Sequence, residues 1–299
     1  DGFRGAWAAD QPERPSKMNV LVLGSKGQLG RELCRIFADG AEVMGADLPE
    51  LDITDRDNVA ALVAGVSPGL VINAAAYTDV EGAEDDRESA FAVNEAGARI
   101  VAGEARAAGV PVVYYSTDYV FFDAQDEELT PDDPIMPRGV YAESKAAGEE
   151  ATREANPDHF IIRTAWLYGP GGNNFVEKIL RAAAARPAVK VVQDEIGSPT
   201  HTFDVAEATR ALCNTTAYGT YHAVNGGQCS RFEFTREIFR LAGVDTPLFP
   251  CTSAEFPMKA PRPNYSVLCT RKLTRACGYV MRPWQQALAH YIQRRKHAS

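Results

Sequence analysis

The sequence predicts an α/β protein with a doubly wound parallel sheet, and three observations support this class. Short runs rich in β-branched residues alternate with longer helical patterns from Met18 to about residue 165. These short runs are apolar throughout, which is typical of parallel strands covered by helices on both faces. The first run leads through a glycine-rich turn into a helix, "NVLVLGSKGQLGREL". Beyond residue 165 the loops are longer and richer in proline and glycine, which indicates a smaller second lobe.

The predicted elements follow one another in a regular order. Strands are predicted in "NVLVLG", "AEVMGAD", "GLVINAAA" and "PVVYYSTDYVF". Helices are predicted between them in "GQLGRELCRIFADG", "DRDNVAALVAG" and "DDRESAFAVNEAGARIVAGEARAAG". We expect residues 18–165 to form a Rossmann-type dinucleotide-binding domain. Residues 166–299 then form mainly a substrate-binding lobe over the carboxyl edge of the sheet, interleaved in part with it. Residues 1–17 lack the apolar core of a signal peptide and are interpreted as a disordered leader or an expression remnant.

Composition narrows the class of function. The 299 residues are 45% hydrophobic and carry a net charge of −9. An acidic chain without clustered Lys and Arg before its terminal "RRK" has no electrostatic footprint for nucleic acid or for an anionic membrane. No run approaches the roughly 18 apolar residues of a membrane helix. The six cysteines form no CxxC pair and the five histidines no ligand motif. The chain is therefore expected to be a cytoplasmic protein with reduced thiols that acts on a small molecule.

The glycine-rich turn predicts a dinucleotide site. Gly24, Gly27 and Gly30 follow a GxxGxxG spacing between the first strand and the first helix. Glycine lets the backbone turn tightly and lets a pyrophosphate approach the N–H groups that open the helix. Asp47 ends the second strand, at about the 20-residue distance expected of a carboxylate that binds the adenosine ribose. Asp47 should repel a 2′-phosphate and Lys26 should attract one, so the sequence is compatible with NADH or NADPH.

A second pattern predicts proton chemistry. Tyr141 and Lys145 are four residues apart in "VYAESKAAGEE", so both lie on one helical face. A nearby ammonium stabilises a phenolate and is expected to lower the tyrosine pKa, which makes the pair a proton donor to a carbonyl that receives hydride. Thr117 and Asp118 follow a strand in "YYSTDYVF", at the sheet edge where parallel sheets present functional groups. The Thr117 hydroxyl is expected to bond the same carbonyl oxygen.

With these motifs the sequence resembles the extended short-chain dehydrogenase/reductase superfamily and, within it, the dTDP-4-dehydrorhamnose reductases. The resemblance covers nearly all of residues 18–295. Its most specific segments are "STDYVF", "RTAWLYG" and "GSPT", which accompany "GSKGQLGREL", "VINAAAYTDVEGAE", "VYAESKAAGE" and "RPNYSVL". The chain departs from the family pattern at Ala142, where glycine is usual, at Cys269, and in the loop 122–138.

The resemblance implies a role for each matching residue. Tyr141 is implied as the proton donor, Lys145 as its tuner and as a ligand of the nicotinamide ribose, and Thr117 as the hydroxyl that orients the carbonyl. Asp118 and Trp166 match positions that contact the deoxysugar, and Arg262 is a candidate for the nucleotide diphosphate. With the glycine turn, the expected cofactor ligands are Gly24, Lys26, Gly27, Gln28, Leu29, Gly30, Asp47, Asp52, Ile53, Ala76, Tyr77, Thr78, Tyr141 and Lys145.

Several of these residues have a second interpretation. Trp166 at a strand end is explained equally by core packing. Asp52 is also a typical residue at a helix start. Arg163 in "IIRTAW" is expected to be a buried strut rather than a substrate contact. Glu32 matches a glutamate that contributes to a magnesium-linked dimer in some family members, so Mg²⁺ and a homodimer belong to the expectations.

The predicted activity is NAD(P)H-dependent reduction of the C4 keto group of dTDP-4-dehydro-L-rhamnose to dTDP-L-rhamnose, in polysaccharide precursor biosynthesis. Two alternatives stay open. One is a reductase or epimerase of another nucleotide sugar. The other is a non-catalytic regulatory subunit that resembles the methionine adenosyltransferase β subunit, although a pure binding module has no need to keep Thr117, Tyr141 and Lys145 together.

Overall fold

The computed structural model describes residues 18–122 and 126–298. The predicted leader, residues 1–17, lies outside the described residues. The strands are β1 Asn19–Leu23, β2 Glu42–Ala46, β3 Leu70–Asn73, β4 Val112–Thr117, β5 His159–Thr164, β6 Leu167–Tyr168, β7 Val189–Val192, β8 Ile196–Gly197, β9 Thr200–His201, β10 Gly219–His222, β11 Cys229–Ser230, β12 Leu248–Cys251 and β13 Tyr265–Ser266. The α-helices are α1 Gln28–Phe37, α2 Arg56–Val66, α3 Val80–Ala83, α4 Arg87–Phe91, α5 Ala98–Ala107, α6 Val140–Ala155, α7 Phe175–Ala185, α8 Thr202–Cys213, α9 Arg231–Ala242, α10 Arg271–Cys277 and α11 Trp284–Ala298.

Six parallel strands form the main sheet in the order β10-β5-β4-β3-β1-β2. The chain runs outward from β1 to β2 in one direction and from β3 through β4 to β5 in the other. The strand order therefore reverses between β1 and β3, and a crevice opens there beyond the carboxyl ends of the strands. The predicted doubly wound, Rossmann-type α/β fold is confirmed.

Both faces of the main sheet are covered, because successive side chains of a strand point to opposite faces. Val20 and Val22 of β1 pack with residues of α1 and α8 on one face. Leu21 and Leu23 pack with residues of α2 and α5 on the other. All four are fully buried, which explains why the strand is apolar from Val20 to Leu23.

Residues beyond 165 build a second core and also return to the first. Helices α7, α9 and α11 enclose Val176, Phe234 and Leu288 together with the small sheet β12-β7. Strand β10 instead pairs with β5 at the edge of the main sheet, and α8 packs on the face that α1 covers. The division into 18–165 and 166–299 stays a prediction.

Two predicted elements differ from the structure at points near the crevice. The long helix predicted in "DDRESAFAVNEAGARIVAGEARAAG" is interrupted by a π-helical segment, Ala92–Gly97, between α4 and α5. The strand predicted as "PVVYYSTDYVF" ends at Thr117, because the Thr117 hydroxyl accepts a hydrogen bond from the Tyr119 N–H and opens a 3₁₀ turn over Asp118–Val120. The first difference places Asn94 against the loop after β3 and α6, and the second places Asp118 beyond the end of β4.

Candidate active site

The glycine turn forms a close-packed cradle between β1 and α1. Gly24 has a φ of 75°, and a Cβ there would lie 2.5 Å from the Ala75 nitrogen. At Gly30 a Cβ would lie 2.0 Å from the Gly24 carbonyl oxygen, so only glycine lets the helix sit on the turn. Gly27 is the N-cap of α1, and the first N–H groups of a helix have no partner within it. The cradle therefore has the shape and the donors that a pyrophosphate needs.

This cradle opens into a cavity of about 750 Å³ along the carboxyl ends of the strands. The cavity brings together all the predicted cofactor and catalytic residues. Those that line it are Gly24, Lys26, Gly27, Gln28, Leu29, Gly30, Asp47, Asp52, Ile53, Ala76, Tyr77, Thr78, Thr117, Asp118, Tyr141, Lys145 and Trp166. Their positions as ligands of a cofactor or a substrate stay predictions.

The part of the cavity next to the end of β2 is lined by two carboxylates, Asp47 and Asp52. The Asp47 carboxylate accepts hydrogen bonds from the N–H groups of Lys26 at 2.7 Å and Leu48 at 2.8 Å. The Lys26 ammonium is already engaged, because it donates to the Leu48 carbonyl at 2.8 Å and pairs with Glu50 at 2.6 Å. Asp52 accepts from the N–H and hydroxyl of Thr54, so it stabilises the turn before α2 while also lining the cavity.

Asn94 connects the loop after β3 by hydrogen bonds to α6, the helix that contains Tyr141 and Lys145. This residue lies in the π-helical segment and is 1% exposed. Its side chain accepts from the Tyr77 N–H at 3.0 Å and donates to the Tyr77 carbonyl at 3.1 Å and to the Ser144 hydroxyl at 3.0 Å. Asn94 thus connects the cavity loop that holds Ala76, Tyr77 and Thr78 to the residue beside Lys145. No motif in the sequence indicated this role.

The three predicted catalytic side chains meet where β4 ends and α6 begins. Thr117 is the last residue of β4, and Tyr141 and Lys145 lie one turn apart on α6. Thr117 is near enough to Tyr141 for its hydroxyl to lower the pKa of this phenol, against the effect of burial. The Lys145 ammonium lies 4.2 Å from the centre of the Tyr114 ring, whose hydroxyl donates to the Asn94 carbonyl at 3.0 Å. Such a cation–π contact stabilises an ammonium that is withdrawn from water.

Burial, rather than the ammonium, dominates the proton affinity of Tyr141. Desolvation raises the pKa of Tyr141 above its usual value, and the Thr117 hydroxyl opposes this only in part. The expectation that Lys145 gives this phenol a lowered pKa is therefore wrong for the protein without ligands. Desolvation also lowers the pKa of Lys145 to about 7, against the opposing effect of Glu149. At neutral pH Tyr141 is a protonated phenol, the form that a proton donor must have.

The Glu149 carboxylate that faces Lys145 is itself neutralised by Arg163. The Arg163 guanidinium makes a two-pronged contact with Glu149, Nε to Oε1 at 2.8 Å and Nη2 to Oε2 at 2.7 Å. Both side chains are almost fully buried. Arg163 does not line the cavity. This placement matches the buried strut expected from the sequence.

Trp166 forms the wall of the cavity farther from the cradle. Its backbone has a φ of 46°, which is rare for a bulky residue. Its indole ring fills the space beside Gly197, where a Cβ would lie 2.6 Å from the ring. The Arg231 guanidinium lies 3.5 Å from the centre of that ring. Trp166 thus contacts both the lobe core and the cavity, so both sequence interpretations describe part of its environment.

Arg231 lines the cavity and was missed by sequence reasoning, because its contact with Trp166 spans 65 positions and only the fold creates it. Its side chain is 12% exposed and pairs with Glu195 at 3.4 Å. The predicted arginine, Arg262, does not line the cavity. It pairs with Glu81 at 2.8 Å and donates to the Tyr119 hydroxyl at 3.3 Å.

Glu32 does not form a magnesium site in the structure. Arg35 donates to its Oε2 at 3.0 and 2.7 Å, and Arg294 of α11 donates to its Oε1 at 3.1 Å. Both carboxylate oxygens are thus occupied by guanidinium groups. Throughout residues 18–122 and 126–298 there is no group of three or more His, Cys, Asp or Glu side chains arranged to hold a metal. The described residues therefore give no support to a Mg²⁺ site at Glu32.

A glycine cradle at the switch point of a parallel sheet, with a tyrosine and a lysine one turn apart beside it, defines a nucleotide-dependent reductase of the short-chain type. The model of the family described as "RmlD substrate binding domain" matches residues 18–297. The chain belongs to this family. No helix in the described part of the chain is long and apolar enough to cross a membrane.

Known relatives agree with this family over nearly the whole chain. The dTDP-4-dehydrorhamnose reductase of Streptomyces griseus is 42% identical over 276 residues, covering 90% of this chain and 91% of that protein. The spore coat polysaccharide biosynthesis protein SpsK of Bacillus subtilis is 41% identical over 280 residues, covering 93% and 98%. A crystal structure of Bacillus anthracis dTDP-4-dehydrorhamnose reductase in complex with NADP has a TM-score of 0.90 and 37% identity, covering 93% of this chain and 99% of that one.

Proposed function

We propose that this chain reduces the C4 keto group of dTDP-4-dehydro-L-rhamnose with NADH or NADPH and so forms dTDP-L-rhamnose, the last step of dTDP-rhamnose biosynthesis. The observation that carries the proposal is the convergence of Thr117, Tyr141 and Lys145 on the cavity that contains the glycine cradle. The names of the Streptomyces griseus and Bacillus anthracis relatives support the same substrate. The predicted residues that line the cavity are proposed as its cofactor and substrate ligands.

The residues fit a bound dinucleotide, because Gly24 and Gly30 let the turn pack directly on α1, and the N–H groups that open this helix can then bind its phosphates. When bound, the reduced nicotinamide supplies the hydride. Tyr141 holds its proton at neutral pH, since burial raises its pKa, and gives that proton to the C4 oxygen as negative charge develops there. Lys145 in its ammonium form stabilises the phenolate that remains. Acid catalysis of this kind contributes about 10²- to 10⁴-fold.

The far end of the cavity is proposed to bind the nucleotide diphosphate. Arg231 is better placed for this than Arg262, because its guanidinium lines the cavity. A planar guanidinium pairs well with phosphate oxygens. Arg262 lies behind Tyr119 and is proposed to support the site from there. A homodimer and a cytoplasmic location stay predictions from the sequence.

The test is turnover of dTDP-4-dehydro-L-rhamnose, generated in situ by the preceding dehydratase and epimerase reactions, followed as loss of reduced-cofactor absorbance and formation of dTDP-rhamnose. Tyr141→Phe is expected to bind the cofactor nearly normally, because it keeps the ring and loses only the hydroxyl, and to lose about 10²- to 10⁴-fold in kcat. Tyr218→Phe, which removes a hydroxyl outside the cavity, is the matched control. Cofactor binding without turnover by the wild-type protein would favour a regulatory role or another nucleotide sugar. Wild-type turnover in Tyr141→Phe would exclude Tyr141 as the acid.

A further inference from the structure

The Thr117 hydroxyl has more partners than it has protons. Its oxygen accepts a hydrogen bond from the Tyr119 N–H at 3.1 Å, and its proton is donated to Oδ1 of Asp118 at 3.1 Å. The same hydroxyl acts on Tyr141, whose pKa it lowers. A hydroxyl has one proton and two lone pairs. While that proton goes to Asp118, Thr117 can only accept from Tyr141, and it cannot donate to a substrate carbonyl.

Asp118 is enclosed by groups from both lobes. It is 2% exposed, and the Ser266 hydroxyl on β13 donates to its Oδ2 at 2.6 Å. Arg231 on α9 is the opposing charge that acts on it. Two phenols also interact electrostatically with the Asp118 carboxyl. Tyr141 belongs to α6, and Tyr119 belongs to the same 3₁₀ turn as Asp118. The hydrogen bonds therefore connect Ser266, Asp118 and Thr117, and Thr117 in turn acts on the proposed acid, Tyr141.

We infer that Asp118 is a positioning residue whose protonation state decides whether the Thr117 proton is held by Asp118 or is free to be donated to the substrate carbonyl. Protonation of Asp118 either makes Oδ1 a donor toward Thr117 or weakens it as an acceptor. In both cases the Thr117 proton can turn toward the cavity and Tyr141. The inference rests on the proposed reductase function and adds a role for Asp118 that acts through Thr117.

The proton affinity of Asp118 places this change in an accessible pH range. Burial raises the pKa of Asp118 to about 6, against the lowering effects of Ser266, Arg231 and Thr117. As the pH rises through about 6, the Asp118 carboxyl loses its proton. The carboxylate then accepts the Thr117 hydrogen bond again, so Thr117 no longer donates to the substrate carbonyl and kcat/KM is expected to fall. Lys145, with a pKa of about 7, adds a second titration that does not involve Ser266.

The experiment is the pH profile of kcat/KM for the full chain and two variants. Because the Ser266 hydrogen bond stabilises the carboxylate, Ser266→Ala is expected to raise the midpoint of the Asp118 step by about 1 pH unit and to leave the Lys145 step in place. Asp118→Asn is expected to abolish the lower step, whatever its effect on substrate affinity. The matched control is Ser253→Ala, since Ser253 makes a similar hydroxyl–carboxylate pair with Asp194 at 2.9 Å on the surface. Its profile should equal that of the wild type.

The inference would be overturned if the lower step of the pH profile did not move in Ser266→Ala, or if that step were still present in Asp118→Asn. The proposed reductase function would stand in either case. Absence of turnover in every protein at every pH would instead contradict the proposed function. The Asp118 titration can still be measured then, as the infrared carboxyl band that is present in the wild type and lost in Asp118→Asn. A midpoint near 6 that rises in Ser266→Ala is expected, and an unchanged midpoint would refute the contribution of Ser266 on which the inference depends.

Discussion

A single methyl group at Gly197 should test whether Trp166 forms part of the substrate site. A Cβ at Gly197 would lie 2.6 Å from Cε2 of the indole and 2.8 Å from Nε1. Carbon atoms in contact lie about 3.5 Å apart or more, so the ring must move by roughly 1 Å. Overpacking of this kind costs about 1–3 kcal/mol of folding stability. A displacement of about 1 Å next to reacting groups can cost about 100-fold in rate. Gly197→Ala is therefore expected to lower kcat/KM for the nucleotide sugar by about 10- to 100-fold.

The assay separates substrate from cofactor. Gly197→Ala should leave the dissociation constant of NADH or NADPH unchanged, because Gly197 does not line the cavity and the cradle lies at its other end. Gly103→Ala is the matched control, since a Cβ at Gly103 on the surface of α5 meets no atom within 4 Å. It is expected to stabilise the helix by about 0.5–1 kcal/mol and to leave the kinetics unchanged. If Gly197→Ala lost stability but kept wild-type kinetics with the sugar, Trp166 would be a core residue only.

Three further outcomes are expected. Glu149→Gln should lower the free energy of urea unfolding by about 3–5 kcal/mol, because it leaves Arg163 buried without its partner. The control Glu154→Gln, in the exposed pair with Arg99, should change this free energy by less than about 0.5 kcal/mol. Equal effects of the two substitutions would contradict the argument. Glu50→Gln should remove the ion pair of Lys26 and leave its bond to the Leu48 carbonyl. NADPH binding should strengthen only a few-fold relative to NADH in calorimetric titrations, because exposed ion pairs are weak, and an unchanged ratio would exclude Lys26 from cofactor selection. Adding Mg²⁺ or EDTA should change neither the melting temperature nor the mass measured by light scattering, because arginines occupy both oxygens of Glu32; a magnesium-dependent gain in mass would show that they can be displaced.

The sequence predicted the parts of the site that depend on local spacing. The glycine spacing places Gly24 and Gly30 in one turn, and the four-residue interval places Tyr141 and Lys145 on one face of α6. The presence of β4 follows from the alternation of strands and helices, although its end at Thr117 does not. Each of these inferences needs only a short segment and the known geometry of the element that contains it.

The remaining features depend on contacts between distant segments. Arg231 is the first residue of α9 and directly follows β11. Strand β11 pairs with β8 in the small sheet β11-β8-β13, and only this pairing brings Arg231 next to Trp166. Arg262 was predicted to bind phosphate because of its residue type, but the fold places it against Glu81. The pKa of Tyr141 was predicted in the wrong direction because the sequence identifies the neighbouring charge but not how deeply the phenol is buried.

The π-helical segment Ala92–Gly97 restricts how the sequence of this chain can evolve. A π-helical turn holds one residue more than an α-helical turn, and this extra residue lets Asn94 reach both the Tyr77 loop and α6. Deleting one residue here would let the segment close into a regular α-helical turn, because the wider turn absorbs the extra residue. The buried face of α5, including Val101 and Ala105, would keep its orientation toward the sheet. Asn94 would instead lose the position from which it joins the Tyr77 loop to α6. We therefore expect a deletion here to be selected against through the cavity loop and not through the packing of α5.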